Sequence, residues 1–220
     1  MSIVRPEFHL KLRPFLAIHT VLLVGVSPTV PVDNFALHDK HLTFLYRHYQ
    51  RCYYFALKAM PLQANDALSD LQKLQEIMMK FYLSIACCCL LRSSNKPKRK
   101  EYNQAIAAAK MILEQVAPEC AHNYENKRQL LQAEIHSCNK KDKAARQAYK
   151  MAILSAKSSK FLHEEGLACE LAGKHCQRAN DERQAKEYFS QALKCYQQWG
   201  CKVKVDSLTN ELSDSEKSKG

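Results

Sequence analysis

A chain of 220 residues, 46% of them hydrophobic, has enough apolar matter for a core, so its composition excludes disorder over most of its length. Five glycines and seven prolines are too few for a fold built on tight hairpins or phosphate-cradling loops. A formal charge of +11 raises nucleic acid and anionic membrane as partners, but the cations are scattered among Asp and Glu, which reads instead as a solvated helical surface.

In chain order, the run Phe15–Val26 is apolar. Twelve helical residues span about 18 Å, well short of the roughly 30 Å hydrocarbon core. His19 interrupts the run, and Pro28, directly after the small-x-small triplet Gly25-Val26-Ser27, would begin a cleaved product poorly. A packed helix with a Pro-containing linker over 1–32 is therefore expected, with a signal peptide or anchor as the alternative. Pro28 and Pro31 end it, and Asp33 or Asn34 can cap the next helix, expected over 36–59. Leu68, Leu71, Leu74, Met78, Phe81, Tyr82, Ile85 and Cys89 then form a long apolar stripe, so 33–91 reads as the first helical pair or pairs. Arg92, Lys96, Lys98, Arg99 and Lys100 make a basic linker over 92–100, broken by Pro97.

Further helices are expected over 101–116 (stopping before Pro118), 122–138, 142–160, 163–179 and 182–199, with Asp181 capping the last and Gly200 in the left-handed position after it. A short amphipathic piece follows over 203–212. The polar tail, placed at 209–220 with SDSEKSKG as its core, is expected to be disordered.

Within this half of the chain Ala133, Ala145, Tyr149 and Ala152 recur as Gly173, Ala185, Phe189 and Ala192, each displaced by 40 residues. Small residues let helices approach and the ring fills the space between them, the signature of stacked helical hairpins. The expected fold is all-α: antiparallel hairpins stacked as a tetratricopeptide-like α-solenoid, with the repeats over 101–208.

The segments LLQAE (130–134), AYKMAILSAK (148–157), FLHEEGLACELAGKH (161–175) and AKEYFSQALKCYQQWGCKVKVDSL (185–208) carry a resemblance. They resemble the tetratricopeptide-like region of large multidomain signalling proteins. In those, a serine/threonine-kinase-like domain precedes a predicted AAA-type (STAND) ATPase, often with GAF and histidine-kinase modules. The likeness covers about 81–208 and is densest from 122, where Trp199–Gly200 follows the hairpin at the family's spacing. It departs at His175–Cys176, where the family tends to aromatics, and at Cys201, where it has Ala. The resemblance implies a scaffold, since no Gly-x-x-x-x-Gly-Lys-Ser/Thr, His-Arg-Asp or Asp-Phe-Gly set occurs here and no catalytic residue carries over.

His163-Glu164-Glu165 lacks the second His that a zinc-binding helix needs, and acids in a first turn complement the helix dipole. Cys169, Cys176, Cys195 and Cys201, with His136, His163 and His175, fit no Cys-x-x-Cys spacing and read as core. No catalytic, cofactor or metal site is expected. Ten cysteines with no Asn-x-Ser/Thr acceptor, three of them adjacent at Cys87–Cys89, point to reduced thiols and a cytoplasmic location. A peptide groove, if present, is expected on the first helix of each hairpin, with Lys127, Glu134, Glu170, Lys174 and Arg178 exposed in it. The functional expectation is a non-enzymatic scaffold for protein contacts, a fragment or relative of that family. No membrane is expected as a partner, and self-association is expected through an uncovered N-terminal stacking face. The alternative is a nucleic-acid-binding helical repeat using Arg92–Lys100 and Lys140–Arg146.

Overall fold

A computed structural model describes residues 65–92 and 99–217. Every regular element among them is an α-helix: α1 (Asn65–Arg92), α2 (Arg99–Glu119), α3 (Ala121–Cys138), α4 (Asp142–Ser158), α5 (Leu162–Arg178), α6 (Glu182–Trp199) and α7 (Lys202–Lys217). The expected helices over 1–32 and 36–59, and the middle of the basic linker, lie outside the described residues. None of the described helices is long and apolar enough to cross a membrane.

The chain divides into two units, residues 1–90 with 95–109, and 91–94 with 110–220. In the first, the apolar stripe of α1 forms a helix whose residues 84–88 are buried on every side. Phe81 and Tyr82 meet edge to face at 4.9 Å between ring centres, and Ser84 satisfies its hydroxyl on the Phe81 carbonyl at 2.6 Å.

In the second unit α3 packs on α4, α4 on α5, α5 on α6 and α6 on α7, while α3 also touches α5. The connections set this order, because turns of two or three residues keep consecutive helices beside each other. Each turn has the same hydrogen bonds at a 20-residue interval: Lys141 N–H to His136, Phe161 to Ala156, Asp181 to Cys176 and Cys201 to Tyr196. This six-to-one closure needs a left-handed residue just before the donor. Lys140 (φ 57°), Lys160 (59°), Asn180 (58°) and Gly200 (79°) supply it. Gly200 takes the position expected of it, and Asp181 caps α6 by accepting the Gln184 N–H at 3.2 Å. The turn period is half the 40-residue side-chain period, because two helices with their turns make one 40-residue repeat.

Packing between these helices is tight because small residues line it. Ala145, Ala148, Ala152 and Ala156 on α4 are buried, as are Ala185 and Ala192 on α6. Residues 166–173 of α5 are buried without a break, so the middle of α5 is covered on all sides. A methyl group built on Gly173 would lie 2.7 Å from Phe189 Cε1, and one on Gly166 would lie 2.8 Å from Tyr196 Cε1. The backbone of α5 thus forms part of the wall against which the α6 rings rest.

Three boundaries differ from expectation. Helix α2 includes Pro118 and ends at Glu119; the missing N–H costs one bond in the last turn, and Cys120 N–H still reaches Val116 at 3.0 Å. Arg92, Arg99 and Lys100 belong to helices rather than to a linker. The 209–220 tail is helical as far as Lys217, since nothing between Lys202 and Lys217 breaks a helix and Glu and Lys continue one well in solvent.

Candidate functional site

The residues expected to line an exposed groove mostly do not. Lys127, Glu134 and Glu170 are 4%, 0% and 3% exposed, Lys174 is half-buried, and only Arg178 is exposed. The correction has a physical cause: a cation or hydroxyl from another helix meets each carboxylate and removes its need for water.

Glu134, on α3, accepts from the Tyr149 hydroxyl on α4 and from Arg92 Nη2 at 2.6 Å. Burial, reinforced by the Glu134 carboxylate, pushes the Tyr149 phenol well above its usual range. Glu164, in the first turn of α5, pairs with Lys127 Nζ of α3 at 2.7 Å and accepts from the Asn126 amide. Burial would raise its carboxyl, but Lys127 and His163 outweigh that and hold it at about 2. Lys127 also lies 5.0 Å over the Phe161 ring. Glu170, at mid-α5, receives Lys204 of α7 at 2.9 Å, the Tyr196 hydroxyl of α6 at 2.8 Å and Lys174 at 3.0 Å. Here too burial is outweighed, by Lys204 and then Lys174, and the carboxyl stands at about 2. A carboxylate held so low stays ionised at neutral pH, and its oxygens are already occupied. It links helices rather than moving protons.

A fourth cluster gathers where α3 and α5 end and α4 and α6 begin. His175 of α5 joins Ser137 of α3 through Nδ1 at 3.0 Å and Asp142 of α4 through Nε2 at 2.9 Å. Asp142 also accepts from Arg146 Nε at 3.0 Å, Arg146 Nη1 reaches Asp181 at 2.8 Å, and Arg178 donates to Ser137 Oγ at 3.2 Å. A serine, an imidazole and a carboxylate in series have the connectivity of an activated nucleophile. In this cluster the carboxylate is shared with Arg146 and the serine oxygen accepts from Arg178. The group joins the ends of α3 and α5 to the starts of α4 and α6. Burial, with Arg178 and Arg146 adding to it against Asp142, holds the His175 pKa below that of a free imidazole.

The repeat positions lie together inside the second unit. Ala133, Ala145, Tyr149, Ala152, Ala185, Phe189 and Ala192 are each at most 2% exposed, and Gly173 is buried with them. Trp199 is half-buried, its ring 5.2 Å from His163, so it seals the end of α6 onto the start of α5. Cys169, Cys176, Cys195 and Cys201 are buried free thiols; burial pushes Cys195 up to about 11 and Cys169 further. Among the described residues no group of three His, Cys, Asp or Glu is placed to hold a metal ion.

Two surface features remain. A shallow depression of about 600 Å³ lies over Arg99, Lys100, Asn103, Gln104 and Ala107, all on one face of α2. The other is the solvent side of α4, where Lys143, Lys150 and Lys157 are exposed beside Met151 and Leu154, themselves 42% and 60% exposed. The sequence reading missed this face, and also Arg92, Glu164 and Lys204 as ion-pair members. The seven-residue spacing of the three lysines was a signal that could have found the face.

No protein-family model matches this chain, and no curated protein or solved structure matches it either.

Proposed function

We propose that the chain is a non-enzymatic, tetratricopeptide-like array of antiparallel helical hairpins that mediates protein–protein contacts in the cytoplasm. It would be a fragment or relative of the helical region of multidomain ATPase–kinase signalling proteins. One observation carries this reading. Beyond their first residues, α4 and α6 expose the same seven positions offset by 40 and bury or half-bury the intervening ones, so the repeat extends from sequence to surface. Stacking one hairpin on the next with a constant register yields an extended face, which is how helical arrays recognise other proteins. The carboxylates that could have done chemistry are consumed in holding helices together. None of the nine described cysteines is in a disulfide, which suits a reducing compartment.

The nucleic-acid alternative has less support, because two of its cations are committed elsewhere: Arg92 to Glu134, and Arg146 to Asp142 and Asp181. The test is affinity capture with the full chain from nuclease-treated lysate, followed by reconstitution of each captured protein from purified components. A stoichiometric, saturable complex is the expected result. Recovery of nucleic acid alone, with affinity falling steeply as salt rises, would establish the alternative. ATP turnover by the purified chain would overturn the non-enzymatic reading.

A further inference from the structure

We infer that the solvent face of α4 is a docking surface for an acidic amphipathic helix of a partner protein, an inference that rests on the scaffold reading and specifies the partner's chemistry. At 3.6 residues per turn, the exposed residues of α4 after Asp142 fall within about 120° of arc. Lys143, Lys150 and Lys157 form a row along it, successive members about 10.5 Å apart. Leu154 stands beside that row and Met151 at the far edge of the arc. No acidic residue shares the arc, since Asp142 points to Arg146 and His175.

The second hairpin supplies an internal comparison. Helix α6 exposes the same arc, and there the row is Arg183, Ser190 and Gln197, while Met151 and Leu154 are replaced by Gln191 and Lys194. Arg183 is further offset by Glu187 at 3.8 Å. Packing therefore does not require exposed apolar side chains at these positions; α6 occupies the same kind of place without them. On α4 they stand next to three cations, a combination suited to a surface that pairs carboxylates while burying a leucine and an adaptable methionine.

The arc also discriminates among occupants. An interfacial membrane helix needs a continuous apolar sector of roughly 100° or more. Here Gln147 and Ser158 lie between the two apolar residues around the arc. A phosphate backbone would use the lysines and leave Leu154 and Met151 in water. A second copy of a chain with formal charge +11 brings more cations to a cationic face. An α-helix with Glu or Asp at seven-residue intervals beside Leu matches both features. Its affinity should be weak, on the order of 0.1 mM, because one helical face buries far less than a standard interface.

The test uses the full chain and a synthetic fluorescent helix of about 21 residues, three heptads long, with glutamate at every seventh place and leucines alongside. Fluorescence anisotropy is read at about 0.05 M and about 0.3 M salt. Two variants are compared with the native chain: K143Q/K150S/K157Q, and M151Q/L154Q. All five positions are exposed, and circular dichroism is used to check that both variants fold. The peptide should bind the native chain, and each variant should weaken it about tenfold. R183Q/K194Q on α6 should leave binding unchanged. Equal binding by M151Q/L154Q would reduce the effect to attraction between opposite charges and overturn the proposal. So would preferential binding of phosphatidylserine vesicles or single-stranded RNA, or self-association that the variants abolish. If the captured partners of the previous section bind the doubly replaced face as well as the native one, the docking surface fails while the scaffold reading stands.

Discussion

Replacing Gly173 with alanine tests the close approach of α5 and α6 directly. In an open helix the change would stabilise by about 1 kcal/mol, since alanine is the better helix former. At Gly173 the new methyl would lie 2.7 Å from Phe189 Cε1, 2.8 Å from Cδ1 and 3.0 Å from Cζ. These are atoms of a ring that is 2% exposed, so it has no free end to swing aside. Overpacking of this kind costs about 1–3 kcal/mol. With three ring atoms involved, the upper part of that range applies, and a net loss of about 1–2 kcal/mol remains after the propensity gain. In a unit of this size that lowers Tm by roughly 4 °C per kcal/mol. Urea denaturation followed by helical circular dichroism measures it. The control is Phe189→Leu: in the double variant the clash is gone, so the two losses should fall short of additivity by about 1 kcal/mol. A Gly173→Ala protein more stable than the native chain, or a strictly additive double variant, would refute the reasoning.

Lys204→Met should cost about 2–4 kcal/mol, because Glu170 stays buried with Lys174 as its remaining cation, and adding Glu170→Gln should recover much of the loss in the same denaturation assay. Lys160→Gly should stabilise by about 0.5–1 kcal/mol, since φ at Lys160 is 59° and a side chain there costs about 1–2 kcal/mol, less the entropy that glycine loses. Acid should destabilise in two stages. The His175 pKa is lowered in the folded state, so the unfolded chain takes that proton first, and stability falls as pH drops below about 6.5; His175→Gln should shrink this stage. Glu164 and Glu170 stand at about 2 against about 4.3 unfolded. Their contribution is complete above that value and is lost as pH falls from there toward 2, which thermal melts across pH will show.

The alanine and ring positions were readable because one period governs both local helix spacing and packing: whatever faces the neighbour at Ala133 faces it again at Gly173. The ends of α6 were readable for a similar reason, Asp181 and Gly200 being residues whose side chains, or lack of one, dictate a cap. The turns at Lys140 and Lys160 gave no such sign, because lysine has no preference for a left-handed backbone and takes it there under the constraint of the closure bonds. The groove was misplaced because hydropathy treats Glu134 and Glu170 as solvated. Their partners Arg92 and Lys204 lie 42 and 34 residues away, beyond any local pattern. Met151 and Leu154 went unnoticed for a related reason: four alanines and Tyr149 fill the buried side of α4, leaving these two apolar side chains outside.

The packing of the second unit rests on α5 presenting bare backbone to the α6 rings at two heights. Nuclear Overhauser spectroscopy of the full chain measures this most directly. The expected result is strong cross-peaks from the Gly173 α-protons to the Phe189 ring and from the Gly166 α-protons to the Tyr196 ring, with those glycine signals shifted by the ring currents. Glycine α-protons at random-coil positions, with no cross-peak to either ring, would contradict it.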